Sequence, residues 1–378
     1  MRVGVIGSGM IGSAAARHIA KSGHDVVLIG PGEPENMAGH SGVFASHYDA
    51  GRITRRTDPS AFWARVSDES LARYGEILAD SGIEFYYPSG ILMTAPSGHT
   101  AIGSTISVAE GMGVPFQHFK GEALENRFAN YTFHEGDEGL FEGDVAGHID
   151  PRALVAAQIK AAEKHGARVL REEAREITEH GNGIRVTTSG NAVEVDQVLM
   201  AMGGFADMLA PKALPIRVYS RTIVLAEVDK AEAAKLAGMP PIIRYFADGT
   251  NMYMLPPIRY PDGRIYFKIG GDPVDVQLHT IDEIKTWFRS GGDADVTALL
   301  ERRMREVLQD VNLGAMHTSA CVTTYTDHGL AMLERLTDRI SVATAGCGKG
   351  AKCSDELGRL GAELALGNEL PDWARSAD

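Results

Sequence analysis

The apolar residues Val3, Val5 and Ile6 form a short run that stops at a glycine, and the apolar positions that follow return with helical spacing. This pattern predicts a buried strand, a glycine turn and a helix from about Met10 to Ser22, stopped by Gly23, before "DVVLIG" forms a second strand. A second unit follows in "HIDPRALVAAQIKAAEKHGARVL". There Asp150 is placed to cap a helix, Pro151 fits its first turn, Leu154, Val155, Ile159 and Ala162 share one face, and Gly166 ends it. Short strands around "HGNG" and "SGN" then lead into "VDQVLMAMGG", a buried strand running into Gly203 and Gly204. Near the C-terminus "ISVATAGCGKGAKCSDELGRLGAELALG" repeats the theme: a strand, a glycine-rich turn, and a helix with Leu357, Leu360, Leu364 and Leu366 available for burial.

Composition narrows the class. The chain has 378 residues, more than one core usually organises, so two domains are expected. Hydrophobic residues make up 44%, charged residues 23%, and 43 glycines suit an α/β protein with many tight turns. The apolar run "VGVIG" is too short to cross a bilayer and no cationic leader precedes it, so no membrane association and a cytoplasmic location are expected. Three cysteines, Cys321, Cys347 and Cys353, give neither a disulfide framework nor paired metal-ligand spacing. A net charge of -13 repels phosphate backbones, so nucleic acid is not an expected partner. Metal hydrolysis, acyl transfer and ATP chemistry find no support, because H-E-x-x-H, G-x-S-x-G and P-loop patterns are absent.

The first turn carries the clearest chemistry. Gly7, Gly9 and Gly12 stand in G-x-G-x-x-G order with Ser8, Met10 and Ile11 between them, directly after a strand and opening a helix. Gly7 permits the tight turn, Gly9 the approach of a pyrophosphate, and Gly12 the packing of helix on strand, with the helix N-terminus facing the anion. This predicts a dinucleotide site. One element departs from the pattern: Gly30 stands where an acid should meet the ribose hydroxyls, and Glu33 is the nearest candidate, with Glu35 beyond it. The fingerprint alone fits nicotinamide and flavin dinucleotides equally. A strand meander closing on a second glycine turn suits the larger of the two.

Four stretches, "VIGSGMIGSAAA", "GRITRR", "FKIGGD" and the pair "CVTTYTD" with "GCGKGAKCS", together give the chain a resemblance over nearly its whole length. It resembles the D-amino acid oxidase-like FAD-dependent oxidoreductases, and among them the monomeric sarcosine oxidase and N-methyl amino acid oxidase group. The resemblance implies FAD held covalently through Cys321, a soft thiolate suited to adding to an oxidised flavin. It implies that Lys268 lies over the flavin to activate dioxygen, that Arg52 lies near the ring, and that Arg55 and Lys352 clamp a substrate carboxylate. His47, Gly203, Gly348 and Gly350 are implied cofactor contacts, with Lys352 among them. Tyr253 and Lys349 are candidate substrate contacts, Lys349 for a second acidic group, and Asp272 is a candidate to assist amine deprotonation, since a buried carboxylate beside a flavin is tuned toward neutrality. On spacing alone, Lys268 reads as a snorkelling surface lysine, "RITRR" as a solvated basic face, and Tyr253, Met254 and Tyr260 as core packing in a hairpin.

The departures from that group are informative. Thr323, Gly271, Asp272 and Ala351 stand where it carries aromatic or histidine side chains, and Lys349 replaces a histidine, which implies a roomier pocket. The fold class implied is α/β: a Rossmann-like FAD-binding domain (1–84, 146–214 and 325–378) interleaved with an antiparallel-sheet substrate domain (85–145 and 215–324). The activity implied is oxidation of the C–N bond of a secondary amine or amino acid larger than sarcosine, with imine hydrolysis and hydrogen peroxide formation, in a monomer or small homo-oligomer. Two alternatives stand beside it: an FAD-dependent amino acid dehydrogenase that passes electrons to another acceptor, and a non-catalytic flavin-binding subunit of a larger oxidase.

Overall fold

The computed structural model describes residues 1–143 and 145–375. Its first layer is a six-stranded sheet ordered Met332–Arg335, Ile340–Thr344, Gln197–Met200, Arg2–Ile6, Asp25–Ile29, Arg168–Leu170. All neighbours are parallel except Met332–Arg335, which runs antiparallel to Ile340–Thr344. The N-terminal strand therefore sits centrally, flaked on one side by strands from the middle and end of the chain. The near-continuous apolar runs in these strands follow from burial on both faces.

Helices Met10–Lys21, Pro151–Lys164 and Gly350–Ala365 cover this sheet. The second begins as its sequence requires: Asp150 Oδ1 accepts the Ala153 N–H at 3.0 Å, and Pro151 occupies the first turn. The first and last pack so closely at Gly358 that an added Cβ would lie 2.5 Å from the Ala14 Cβ. A buried polar network joins all three. Asp355 receives Arg17 Nη2 at 2.8 Å, Gln158 Nε2 at 2.8 Å and Arg73 Nε at 2.6 Å, and Arg17 Nε donates to Gln158 Oε1 at 2.6 Å. Burial alone would raise the Asp355 pKa, but its hydrogen bond from His18 and the charges of Arg17 and Arg73 hold it well below the carboxylate range.

The meander is a separate three-stranded antiparallel sheet, Ala174–His180, Gly183–Thr188 and Ala192–Val195. The larger sheet has nine strands and contains the three strands expected for the substrate side. Ile216–Val228 pairs antiparallel with Ile265–Gly270, which pairs antiparallel with Asn251–Arg259. It is not wholly antiparallel: Ile242–Tyr245 runs parallel to Ile91–Pro96, since a long excursion of chain separates the two. Met316–Thr326 adds to the sheet along Ile216–Val228 and places Cys321 opposite Arg221. That strand runs on to Thr326, and Tyr86–Pro88 joins Gly147–Ile149 and Arg52–Thr54 in a small three-stranded sheet. Among the described residues no helix is long and apolar enough to cross a membrane.

Candidate active site

A cavity opens at the C-terminal end of the parallel sheet, where such folds bind ligands. The turn Gly7–Ile11 forms one end, and Gly30, Pro31 and Glu173 lie in its wall. Residues 43–48, Arg52, Gly203, Cys321, Thr323, Thr324, Gly348, Gly350 and Ala351 complete the parts that bear on chemistry. The cradle is shaped for a pyrophosphate. Gly7 has φ +111, a Cβ there would strike the Ala201 carbonyl, and a Cβ on Gly12 would strike the Gly7 carbonyl oxygen. His47 reaches the same place: its Nδ1 lies 3.8 Å from where a Gly9 Cβ would be. That nitrogen is buried without a hydrogen-bond partner. Burial, followed by the charges of Arg152, Arg52 and Arg171, lowers the His47 pKa to about 3, so the ring is neutral at pH 7.

The ribose end differs from expectation. Glu33 is not among the cavity residues; it faces solvent and makes two 2.7 Å hydrogen bonds with Arg152. Gly30 does line the cavity, and a Cβ there would lie 2.6 Å from the Ser8 nitrogen, so this position has no room for an acid. Glu173, beside the first strand of the meander, is the one carboxylate among the described lining residues. Sequence reading missed it because it comes from the link between two strands outside the N-terminal unit.

Cys321, Arg52 and Lys268 come together through a residue the motifs did not reveal, Asp49. Arg52 Nη2 lies 3.8 Å from Cys321 Sγ, and Arg52 Nη1 forms an ion pair with Asp49. Asp49 also pairs with Lys268 and accepts the Tyr260 hydroxyl at 2.8 Å. Lys268 donates to the Gly51 carbonyl at 2.8 Å and packs 5.3 Å from the Tyr253 ring centroid. The snorkelling reading of Lys268 is corrected: its strand lies between two others, with Leu225 and Leu255 opposite it, and it is 0% exposed. Burial first, and Arg52 second, push its pKa well down against the pull of the Cys321 sulfur, while Asp49 stands in contact with it as an anionic partner. The packing reading of Tyr260 is corrected too, because its hydroxyl belongs to this network.

Cys321 and Cys347 both border the cavity. Cys347 is buried with its Sγ against the carbonyls of Leu330 and Ala345, at 3.5 and 3.3 Å, whereas Cys321 is partly open and faces Arg52. Cys353 lies in the core.

Arg55 and Lys352 also come together, and both are buried, which overturns the solvated-face reading of "RITRR". They meet on Asp58: Lys352 Nζ is 3.1 Å and Arg55 Nη2 3.8 Å from its Oδ2. Lys349 adds its charge at the start of the last helix, with Nζ 5.6 Å from the Trp63 ring centroid. Asp272 lies away from this pair, near Tyr253 and Arg221, with Oδ1 accepting the Thr222 N–H at 3.1 Å. Burial raises its pKa to about 6, against the pull of Arg221 and the Thr222 N–H. The signal for Asp49 and Asp58 was present in "DAGRITRRTD", where each acid stands three residues from the arginine it pairs with. Among the described residues no cluster is suited to hold a metal ion.

Residues 2–364 match the family described as FAD dependent oxidoreductase. Among curated relatives, a monomeric sarcosine oxidase from Bacillus sp. (strain NS-129) is 23% identical over 373 residues, covering 96% of this chain and 92% of that protein. The N-methyl-L-tryptophan oxidase of Salmonella dublin is 21% identical over 368 residues, covering 96% and 94%. Among solved structures, NikD, titled an unusual amino acid oxidase essential for nikkomycin biosynthesis, aligns with a TM-score of 0.77 at 20% identity, covering 100% and 95%. Glycine oxidase from Geobacillus kaustophilus aligns at 0.74 and 19% identity, covering 98% and 96%. The structural likenesses establish the fold, a Rossmann-like nucleotide unit interleaved with a sheet-based second unit. With the glycine cradle, the family match over nearly the full length leads to one conclusion: the chain belongs to the FAD-dependent oxidoreductase family.

Proposed function

We propose that this chain oxidises the C–N bond of a secondary amine or amino acid bulkier than sarcosine, with FAD as cofactor and dioxygen as the final electron acceptor. The observation that carries the reading is the buried group Lys268–Asp49–Arg52 beside Cys321 at the cavity wall: a lysine held in a dry site by a carboxylate, next to a reachable thiol. The relatives named as sarcosine and N-methyltryptophan oxidases support the same reading.

Gly7, Ser8, Gly9, Met10 and Ile11 would hold the pyrophosphate with the N-terminus of helix Met10–Lys21, Gly12 would let that helix pack close behind the turn, and His47 would offer its unpaired nitrogen there. Glu173 would take the adenosine end in place of Glu33, and Gly203, Gly348 and Gly350 would let the backbone approach the rest of the cofactor. Cys321 is the tether in this proposal. Bound FAD supplies a two-electron acceptor that converts the amine C–N to C=N and delivers the electrons to dioxygen as hydrogen peroxide. Lys268 supplies positive charge where reduced oxygen develops negative charge, Arg52 fixes Asp49 against it, and Asp272 accepts the amine proton. Thr323 and Ala351 leave the cavity wall open for a bulky N-substituent.

On this reading the FAD-binding part comprises 1–84, 146–214 and 325–378, the substrate part 85–145 and 215–324, and the protein works in the cytoplasm as a monomer or small homo-oligomer. One observation favours a dehydrogenase as second reading: Asp49 offsets the charge of Lys268. Oxygen uptake and peroxide yield with N-methyl amino acids and N-methylamines of increasing size test the proposal. Bulky substrates turned over faster than sarcosine, with one peroxide per amine, are expected. Rapid substrate-driven flavin reduction that air does not reverse would leave the dehydrogenase.

A further inference from the structure

Lys352 directly follows the cavity-lining residues Gly350 and Ala351 on the last helix, and with Arg55 it already holds a carboxylate belonging to the chain. Arg55, Lys352 and Asp58 are 7%, 5% and 0% exposed. Asp58 Oδ2 faces Lys352 at 3.1 Å and Arg55 at 3.8 Å, and its Oδ1 accepts the Ser60 N–H at 3.1 Å. Arg55 is held further by donating Nη1 to the Thr57 carbonyl. The segment carrying Asp58 is short, running from strand Arg52–Thr54 to helix Ala61–Leu71 and followed by Pro59, so the carboxylate is fixed between two elements. Burial alone would raise its pKa, but Lys352, Arg55 and Lys349 hold it below the carboxylate range, so Asp58 is ionised at pH 7.

Lys349 and Lys352 stand at the start of helix Gly350–Ala365, where the macrodipole disfavours cations. Such a placement calls for an anion, and Asp58 is the anion present. A substrate carboxylate approaching the same two cations would meet Asp58 in a site with little water to screen the repulsion. The cations outnumber Asp58, which disfavours an ammonium ion and favours a neutral amine, the form with a free lone pair.

We propose that Asp58 is a built-in substitute for a substrate carboxylate, and that this site selects N-substituted amines with no carboxylate beside the reacting nitrogen. The proposal rests on the amine-oxidising reading and narrows it to one of the two substrate classes left open there.

The test uses the flavin-loaded protein, wild type and Asp58→Asn, with a matched pair of substrates, N-methylphenylalanine and N-methylphenethylamine, and with acetate as a probe of carboxylate binding. Anaerobic flavin bleaching measures reaction, and perturbation of the flavin spectrum measures acetate binding. Wild type is expected to react at least about tenfold more efficiently with the amine than with the amino acid, and Asp58→Asn to bind acetate roughly tenfold or more tightly, since a like charge within a few ångströms has been removed. A wild type that prefers the amino acid, or an Asp58→Asn variant that binds acetate no better, overturns the proposal. If the variant does not hold flavin, the matched pair in wild type decides alone. If neither substrate bleaches the flavin, the amine-oxidising reading fails, and the acetate titrations still decide the role of Asp58.

Discussion

At the scale of single residues, the motif residues were legible and their partners were not. Cys321 stands out in a sequence with three cysteines, and the structure separates it from Cys347 by exposure and charge: both sulfurs lie near backbone carbonyls, but Cys321 is partly open and also faces the Arg52 guanidinium. If Cys321 tethers the cofactor, acid precipitation leaves yellow colour in the wild-type pellet and moves it to the supernatant in Cys321→Ala. Colour that washes out of wild type leaves Cys321 a packing residue. Lys268 gives a second expectation. Lys268→Met should slow reoxidation of the reduced flavin by air about tenfold or more while leaving anaerobic bleaching nearly unchanged, because its charge matters only where oxygen becomes negative. Equal slowing of both steps would place Lys268 in substrate handling. Asp272, raised to about 6 by burial, has to lose its proton to act as a base, so the substrate-limited rate should rise with pH up to about 6 and Asp272→Asn should abolish that limb. Asp49 and Asp58 each stand three residues from an arginine, but that spacing does not say that the pair is buried or which lysine joins it, and Glu173 carries no local signal at all.

At the scale of elements, the signals that were read are local ones. Helix Pro151–Lys164 was set by Asp150, Pro151 and Gly166, and helix Met10–Lys21 by a glycine on each side, so their limits fell within a residue or two. Pairing between distant elements has no local signal. The parallel match of Ile242–Tyr245 with Ile91–Pro96 and the addition of Met316–Thr326 to the large sheet depend on side chains far apart in sequence. The same holds for the contact between the first and last helices. Gly358→Val should lower stability by about 1–3 kcal/mol in urea unfolding, since its side chain would press on Ala14 and the Ala15 backbone. Asp355→Asn should cost more, about 3–5 kcal/mol, because it strips the buried Arg17 of its one buried charged partner and leaves it only the more exposed Glu76. The sign with pH follows from a carboxylate held below its unfolded pKa. Its contribution is fully present above about pH 4 and is lost as pH falls toward the depressed folded value, so the wild-type urea midpoint should drop below pH 4 more steeply than that of Asp355→Asn.

At the scale of the whole molecule, three stretches far apart in sequence make one nucleotide unit, and that organisation was readable because each carries its own strand, glycine turn and helix. The substrate side was less readable, since its strands lack such a fingerprint and its specificity lies in pairings such as Arg55 and Lys352 with Asp58. The measurement that bears most directly on the account is anaerobic mixing of the flavin-loaded protein with a bulky N-methylamine, followed by readmission of air. The account predicts that the oxidised-flavin absorbance bleaches at a rate that saturates with amine concentration, then returns in air as one hydrogen peroxide appears per amine consumed. A protein that binds FAD in this cavity yet is bleached by no amine or amino acid would contradict it, and would leave the chain a flavin-binding subunit with a buried lysine that serves packing alone.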